Sequence, residues 1–291
     1  MTRLISFFLI SIFLTSTQLH AQKRDTNTLI VRSSYTVDSL KISDLYLQGI
    51  REMSENGNNT NAASIFNEIL NINPNHAPSL YYLAYLSRNA DYAYEMIEKA
   101  IAADPKNEDY KYLRAVALRR SGNVQATIEA YKEILKSGNK RLDLHLMLTE
   151  VYDQSQMPYA AINALDSAYT LFGPQPEIVA YQQNLYQRLN MGDKAVKAGL
   201  QLLEVDPENI QSLVSLAESY NILGKDSIVQ MYYAKAKSID STALELQISV
   251  NEYLRNNGSV QQYLISLGEL FANKNLSLDK KIDYFNSVIR R

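Results

Sequence analysis

The stretch Ile210–Ser241, IQSLVSLAESYNILGKDSIVQMYYAKAKSIDS, holds two amphipathic helical patterns joined by a turn at Gly224. Strides of 34 residues back from Ser241 land on Pro207, Gly173, Asn139 and Pro105, each just past a helical apolar run. In the later helix of each unit a small or β-branched residue stands where two helices must approach closely: Ala62, Ala93, Thr127, Ala161, Ala195 and Val229. Phe66, Ile97, Tyr131, Leu165, Gly199 and Tyr233 follow four residues later, and Ile69, Ala100, Ile134, Ala168, Leu202 and Ala236 three after that. The i, i+4, i+7 spacing places all three sets on one helical face, packed on the earlier helix and on the neighbouring unit. Gly199 alone breaks the pattern.

The earlier helices keep the same phase, with Met53, Leu118, Tyr152, Tyr186 and Tyr220 at one shared position and Ile50, Ala115, Thr149, Gln183 and Ala217 three before it. Between the paired helices lie Gly57, Gly122 and Gly224, where a left-handed turn favours a residue without Cβ. Gln156 and Asn190 take that place in the fourth and fifth units, and Gln tolerates it poorly, which predicts a differently built fourth turn. Pro74 to Pro105 spans 31 residues, so the second unit lacks three, most simply at its inner turn around Arg88 to Asp91. A tighter corner is expected there. The reading is an all-α stack of helix pairs.

The 291-residue chain is long enough to bury a sizeable core, and 10 Gly and 7 Pro leave little room for an all-β fold. A formal net charge of -2 gives no global basic field to drive nucleic-acid binding. With no cysteine there are no disulfides and no thiolate metal sites or nucleophiles. Residues 1–21 read as a signal peptide, with Arg3, an apolar core Leu4–Leu14 and an exit ending at Ala21, so cleavage is expected before Gln22. The apolar core is shorter than a bilayer span of about 20 residues, and no later stretch is long enough either. The expected mature chain is therefore not membrane-spanning and lies outside the cytoplasm, which in a bacterial envelope is the periplasm or the outer-membrane surface. Residues 22–43 read as a polar linker, with Ser43-Asp44 as the first helix cap.

Paired helices on this period, a small residue opening the second helix, aromatic fillers, and Pro after Asn or Asp (Asn73-Pro74, Asp104-Pro105, Asp206-Pro207) resemble the tetratricopeptide repeat (TPR). The Ala21-Gln22 junction is similar to those of exported Bacteroidota proteins. The resemblance implies a right-handed α-solenoid: six repeats over 44–241, a degenerate seventh over 242–275 and a capping helix over 276–291. In the seventh, Val250, Leu254 and Gly258 keep the phase, but Tyr263 stands where a small residue belongs. Leu278, Ile282, Phe285 and Ile289 form the apolar stripe of the expected cap, which would cover the last face of the stack.

The resemblance also implies that first helices line a concave groove, carrying Leu47, Arg51, Tyr81, Tyr85, Arg88, Tyr112, Val116 and Arg119 in its first half. Tyrosine offers a broad face and one hydroxyl, and arginine can fork onto a carboxylate, which suits a peptide ligand. The second half would be acidic and amide-rich, with Leu146, Glu150, Asp153, Asn184, Gln187, Glu218 and Asn221. Some TPR proteins clamp a carboxylate with Lys, Asn and Arg; Leu47, Arg51, Tyr82, Asp109 and Leu113 at the matching places leave that clamp absent.

Of the histidines, His20 leaves with the signal peptide, and His76 and His145 are far apart in sequence. No metalloprotease, nucleophile-elbow, Walker-type or dinucleotide motif is present. The expectation is a non-enzymatic exported scaffold, without cofactor or metal, that binds an unidentified protein or peptide as an adaptor or assembly factor of the cell envelope. A sensing or docking region of a larger envelope or signalling protein is the alternative.

Overall fold

The structure, a computed structural model, describes residues 26–136, 138 and 140–289. Among these lie fifteen helices and no strand. They run α1 (Thr26–Ser54), α2 (Asn59–Ile72), α3 (Ala77–Leu86), α4 (Ala90–Ala103), α5 (Glu108–Arg120), α6 (Val124–Lys136), α7 (Leu142–Gln154) and α8 (Pro158–Phe172). Then come α9 (Pro176–Arg188), α10 (Gly192–Val205), α11 (Ile210–Ile222), α12 (Asp226–Ile239), α13 (Leu244–Asn257), α14 (Val260–Ala272) and α15 (Leu278–Ile289). Odd and even helices pair, and each pair stacks on the next. The first helices also approach one another (α3 with α5, α9 with α11, α11 with α13), which sets them on the inner side of the stack. This is an α-solenoid.

The close-approach row is the seam of each pair: Ala62, Ala93, Thr127, Ala161, Ala195 and Val229 are all at most 1% exposed. Gly199 has a local reason for breaking the larger row. A Cβ there would sit 2.5 Å from Gln183 Nε2 and 3.0 Å from Leu216 Cδ1, so the missing side chain makes room for a buried amide. Between units, the chain leaves α2, α4 and α10 through Asn73, Asp104 and Asp206, each held out of helical conformation by the proline that follows.

Five expectations are corrected. First, α1 begins at Thr26, so the described part of the expected linker is helical. Ser43 is no cap: its hydroxyl donates back to the Ser39 carbonyl inside the helix. Second, the fourth turn is built like its neighbours. Gln156 adopts φ 60° and Asn190 φ 58°, the left-handed region that Gly122 and Gly224 use. In all four turns an N-H closes back five residues, from Asn123, Met157, Met191 and Lys225 onto the carbonyls of Leu118, Tyr152, Tyr186 and Tyr220. That shared closure outweighs the side-chain cost at Gln156.

Third, the second unit's missing residues come out of its first helix. α3 has 10 residues where α5, α7, α9 and α11 have 13, and the connection keeps three residues, Ser87 to Asn89. Fourth, Arg88 therefore lies in that connection and not on a first helix. Fifth, α15 does not cover the stack with its apolar stripe: Leu278, Ile282 and Phe285 are 72%, 48% and 55% exposed. α15 starts one 34-residue stride after α13, and its Tyr284 hydroxyl reaches Glu252 of α13 at 3.5 Å. It thus occupies the place of a first helix, with its stripe left exposed among the described residues. The expected signal segment, 1–21, lies outside the described residues.

Candidate functional site on the inner face

The first half of the inner face rests on a connected set of rings. Phe66 of α2 stacks on Tyr82 of α3 with centroids 5.2 Å apart and planes 12° apart. Gly49 of α1 makes this possible, because a Cβ there would lie 2.7 Å from the Phe66 ring. Tyr46 of α1 closes on Phe66, Tyr82 and His76 at 6.1, 6.0 and 5.8 Å. Tyr81 meets Tyr82 edge-on at 5.1 Å, Tyr110 of α5 at 5.3 Å and Tyr85, nearly parallel, at 6.4 Å. The chain of rings runs from a fully buried phenylalanine to Tyr85, which is 53% exposed. Such pairs add stability beyond the area they bury.

Burial pushes the Tyr46 hydroxyl up to about 12, with Tyr82 adding to the effect, and it raises Tyr81 too, helped by Asp109. Both hydroxyls therefore remain neutral donors across the physiological range. His76 caps α3: its Nδ1 accepts from the Ser79 amide at 3.3 Å, and burial lowers its pKa.

The eight expected groove residues stand in different local surroundings. Leu47 and Arg51 are exposed on α1, with Arg51 3.9 Å from Glu55 one turn on. Tyr81 and Tyr85 are joined by the ring cluster. Arg88 is exposed in the α3–α4 connection. Val116 is partly buried against the core. Tyr112 packs into the next pair, its hydroxyl donating to Met147 Sδ at 3.6 Å and its ring lying under the Arg141 guanidinium at 5.3 Å. Arg119 is engaged within the chain. It pairs with Glu150 at 2.8 Å and reaches Gln154 at 3.4 Å, and the Glu150 hydrogen bond raises its pKa above the usual arginine value.

The acidic, amide-rich second half bonds to itself. Asp153 of α7 accepts from Arg188 at 2.7 Å and from Tyr181 at 3.3 Å, both on α9, and the arginine holds its carboxyl below the usual range. Gln187 donates to the Ser215 carbonyl at 2.6 Å and to the Ser219 hydroxyl at 3.0 Å; the buried Gln183 reaches the same hydroxyl at 3.2 Å. Glu218 of α11 accepts from Ser249 of α13 at 2.6 Å, and Ser249 lies 2.8 Å from the Tyr233 hydroxyl. Each contact joins one unit to the next.

The ring cluster reaches beyond the expected residues to Tyr46, Phe66, His76, Tyr82 and Tyr110. Phe66 carried a signal as a core filler, and Tyr82 stood at a vacant clamp place; the packing of the others was not visible in the period. His145 is buried edge-on against Phe172 at 5.7 Å. Among the described residues no group of three or more His, Asp or Glu side chains is placed to hold a metal. No helix there is long and apolar enough to cross a membrane.

No family model matches the chain. The human protein O-mannosyl-transferase TMTC1 is 20% identical over 158 residues, which is 53% of this chain and 18% of that protein. The tetratricopeptide repeat protein 8 of Caenorhabditis elegans is 21% identical over 145 residues, 49% of this chain and 28% of that protein. The matches thus span less than a third of either curated relative.

Among solved structures, the C-terminal part of a TPR repeat-containing protein from Cytophaga hutchinsonii matches with TM-score 0.66 and 16% identity, covering 82% of this chain and 98% of that one. A TPR protein from Parabacteroides merdae matches with TM-score 0.56 and 13% identity, over 83% and 96% of the two chains. YrrB, described as a TPR protein with an unusual peptide-binding site, matches with TM-score 0.51 and 18% identity, over 64% and 98%. The chain has the tetratricopeptide-repeat fold.

Proposed function

We propose that the chain is an exported, non-enzymatic scaffold of the cell envelope that binds a protein or peptide on the inner face of its first half, as an adaptor or assembly factor. One observation carries the reading. Tyr85 is exposed at the end of a packed ring cluster, whereas Glu150 and Glu218, at the equivalent place on α7 and α11, are engaged with neighbouring units. A packed aromatic surface that the described residues leave open suits a peptide, and a preformed scaffold spares the cost of ordering itself. The peptide-binding site described for YrrB, on a similar fold, supports a peptide ligand for this chain as well. The envelope address rests on the signal-like segment at 1–21.

A photoreactive benzoylphenylalanine at position 85 tests the reading in cells. Irradiation is expected to give an adduct in the envelope fraction, and none when the label stands at Asn184. Adducts from 184 and not from 85 would overturn the assignment of the face, and a chain confined to the cytoplasm would overturn the address.

A further inference from the structure

A groove of about 710 Å³ opens between α6 and α8, with α7 as its floor. Leu148, Tyr152 and Ala164 form a buried apolar base, while Lys132 and Lys136 stand exposed on the α6 wall. The repeat makes the same groove again 34 residues on, between α8 and α10 over α9, where about 420 Å³ remains. That second groove serves as an internal control.

In the second groove Asp166 and Thr170 replace the two lysines. Gln182 donates across it to Asp166 at 2.7 Å, Gln201 to the Tyr169 hydroxyl at 3.3 Å, and the Lys194 ammonium lies 5.4 Å from the Tyr186 ring. The chain's own polar groups meet one another there. In the first groove Leu148 stands in place of Gln182 and Leu135 in place of Tyr169, so both cross-groove hydrogen bonds are lost. Among the described residues no acidic side chain lines it. Neither lysine forms an ion pair among the described residues, and Lys132 lies 5.7 Å from the Tyr152 ring. Burial lowers the pKa of His145, so it adds no charge at neutral pH.

Two uncompensated cations beside an apolar floor complement an apolar body that carries a carboxylate. The walls do not close over an occupant, since Lys132, Lys136, Asn163 and Ser167 are all exposed. A small molecule would bury less of itself here than enclosed pockets achieve, whereas a peptide continues past the groove. We propose that this groove binds an acidic peptide segment, which lays an aromatic side chain on Leu148 and Tyr152 and sets a carboxylate between Lys132 and Lys136. The site is separate from the ring cluster on α3.

The chain has no tryptophan, so the anisotropy of acetyl-Glu-Trp-Glu-amide added to the full chain reports on the peptide alone. The double variant Lys132→Asp/Lys136→Thr copies the second groove onto exposed positions. The peptide is expected to bind, to weaken with salt, and to bind the double variant about tenfold less tightly or worse. It should bind Tyr85→Ala unchanged. Equal affinity for the double variant, or equal binding of acetyl-Lys-Trp-Lys-amide, would overturn the proposal. Indole-3-acetate binding as tightly as the peptide would overturn the peptide occupant, and loss with Tyr85→Ala would move the peptide to the inner face.

Discussion

α3 and α9 are first helices of the same kind, yet their inner faces are finished differently. α3 presents Tyr81 and Tyr85, backed by Phe66, Tyr82 and Tyr110, and ends with an exposed ring. α9 presents Tyr181, Gln187 and Arg188, and all three are held by Asp153, Ser215 or Ser219 of the units before and after. A polar group facing a neighbouring unit finds its partner within the solenoid, because the next unit repeats the same address with a complementary side chain. An aromatic row finds packing partners on one side and leaves its other side open. The same scaffold therefore yields a self-bonded surface in one region and an uncommitted one in another.

The backing of the aromatic region can be broken first. Phe66→Ala empties the space between Gly49 and Tyr82 and should cost about 3–5 kcal/mol, read as a lower denaturant midpoint. Gly199→Ala attacks the polar region: its Cβ would collide with Gln183 and should cost about 1–3 kcal/mol by the same measurement. Tyr85→Ala should change stability by no more than about 0.5 kcal/mol while weakening partner capture, because an exposed ring contributes little to the fold.

Glu218 gives the finest distinction. Burial raises its pKa, Ser249's hydrogen bond opposes the shift, and Glu252 adds to it. A carboxyl with its folded pKa raised contributes stability that is complete below its unfolded value and is lost as pH rises through the folded one. Glu218→Gln keeps an acceptor for Ser249 and removes the partly buried charge. It should raise the unfolding midpoint at pH 7, and the gain should vanish below the ordinary carboxyl range. A gain of the same size at both pH values would show that the charge is not the cause.

The seams of the fold were legible because they obey one period: six close-approach residues, Ala62 to Val229, are all buried as their spacing requires. Long-range polar partners were not, since Arg119–Glu150 and Asp153–Arg188 join residues 31 and 35 apart. Which of those offsets is realised depends on side-chain conformation, not on the repeat. For that reason Arg119 read as a groove residue open to a ligand, and its pairing with Glu150 was not visible. Ser43 misled for a local reason, because a serine hydroxyl serves equally to cap a helix or to bond back within one. The stripe on α15 was readable as amphipathic, but periodicity cannot say what packs against it.

The central claim is that the first-half inner face binds and the second-half inner face holds itself. It is tested most directly by pull-down from envelope extract with Tyr85→Ala and Asn184→Ala baits, two exposed residues at corresponding places on α3 and α9. Both baits should keep wild-type helicity by circular dichroism. The account predicts a partner captured by the wild-type chain and by Asn184→Ala but lost from Tyr85→Ala; a partner retained by Tyr85→Ala and lost from Asn184→Ala would contradict it.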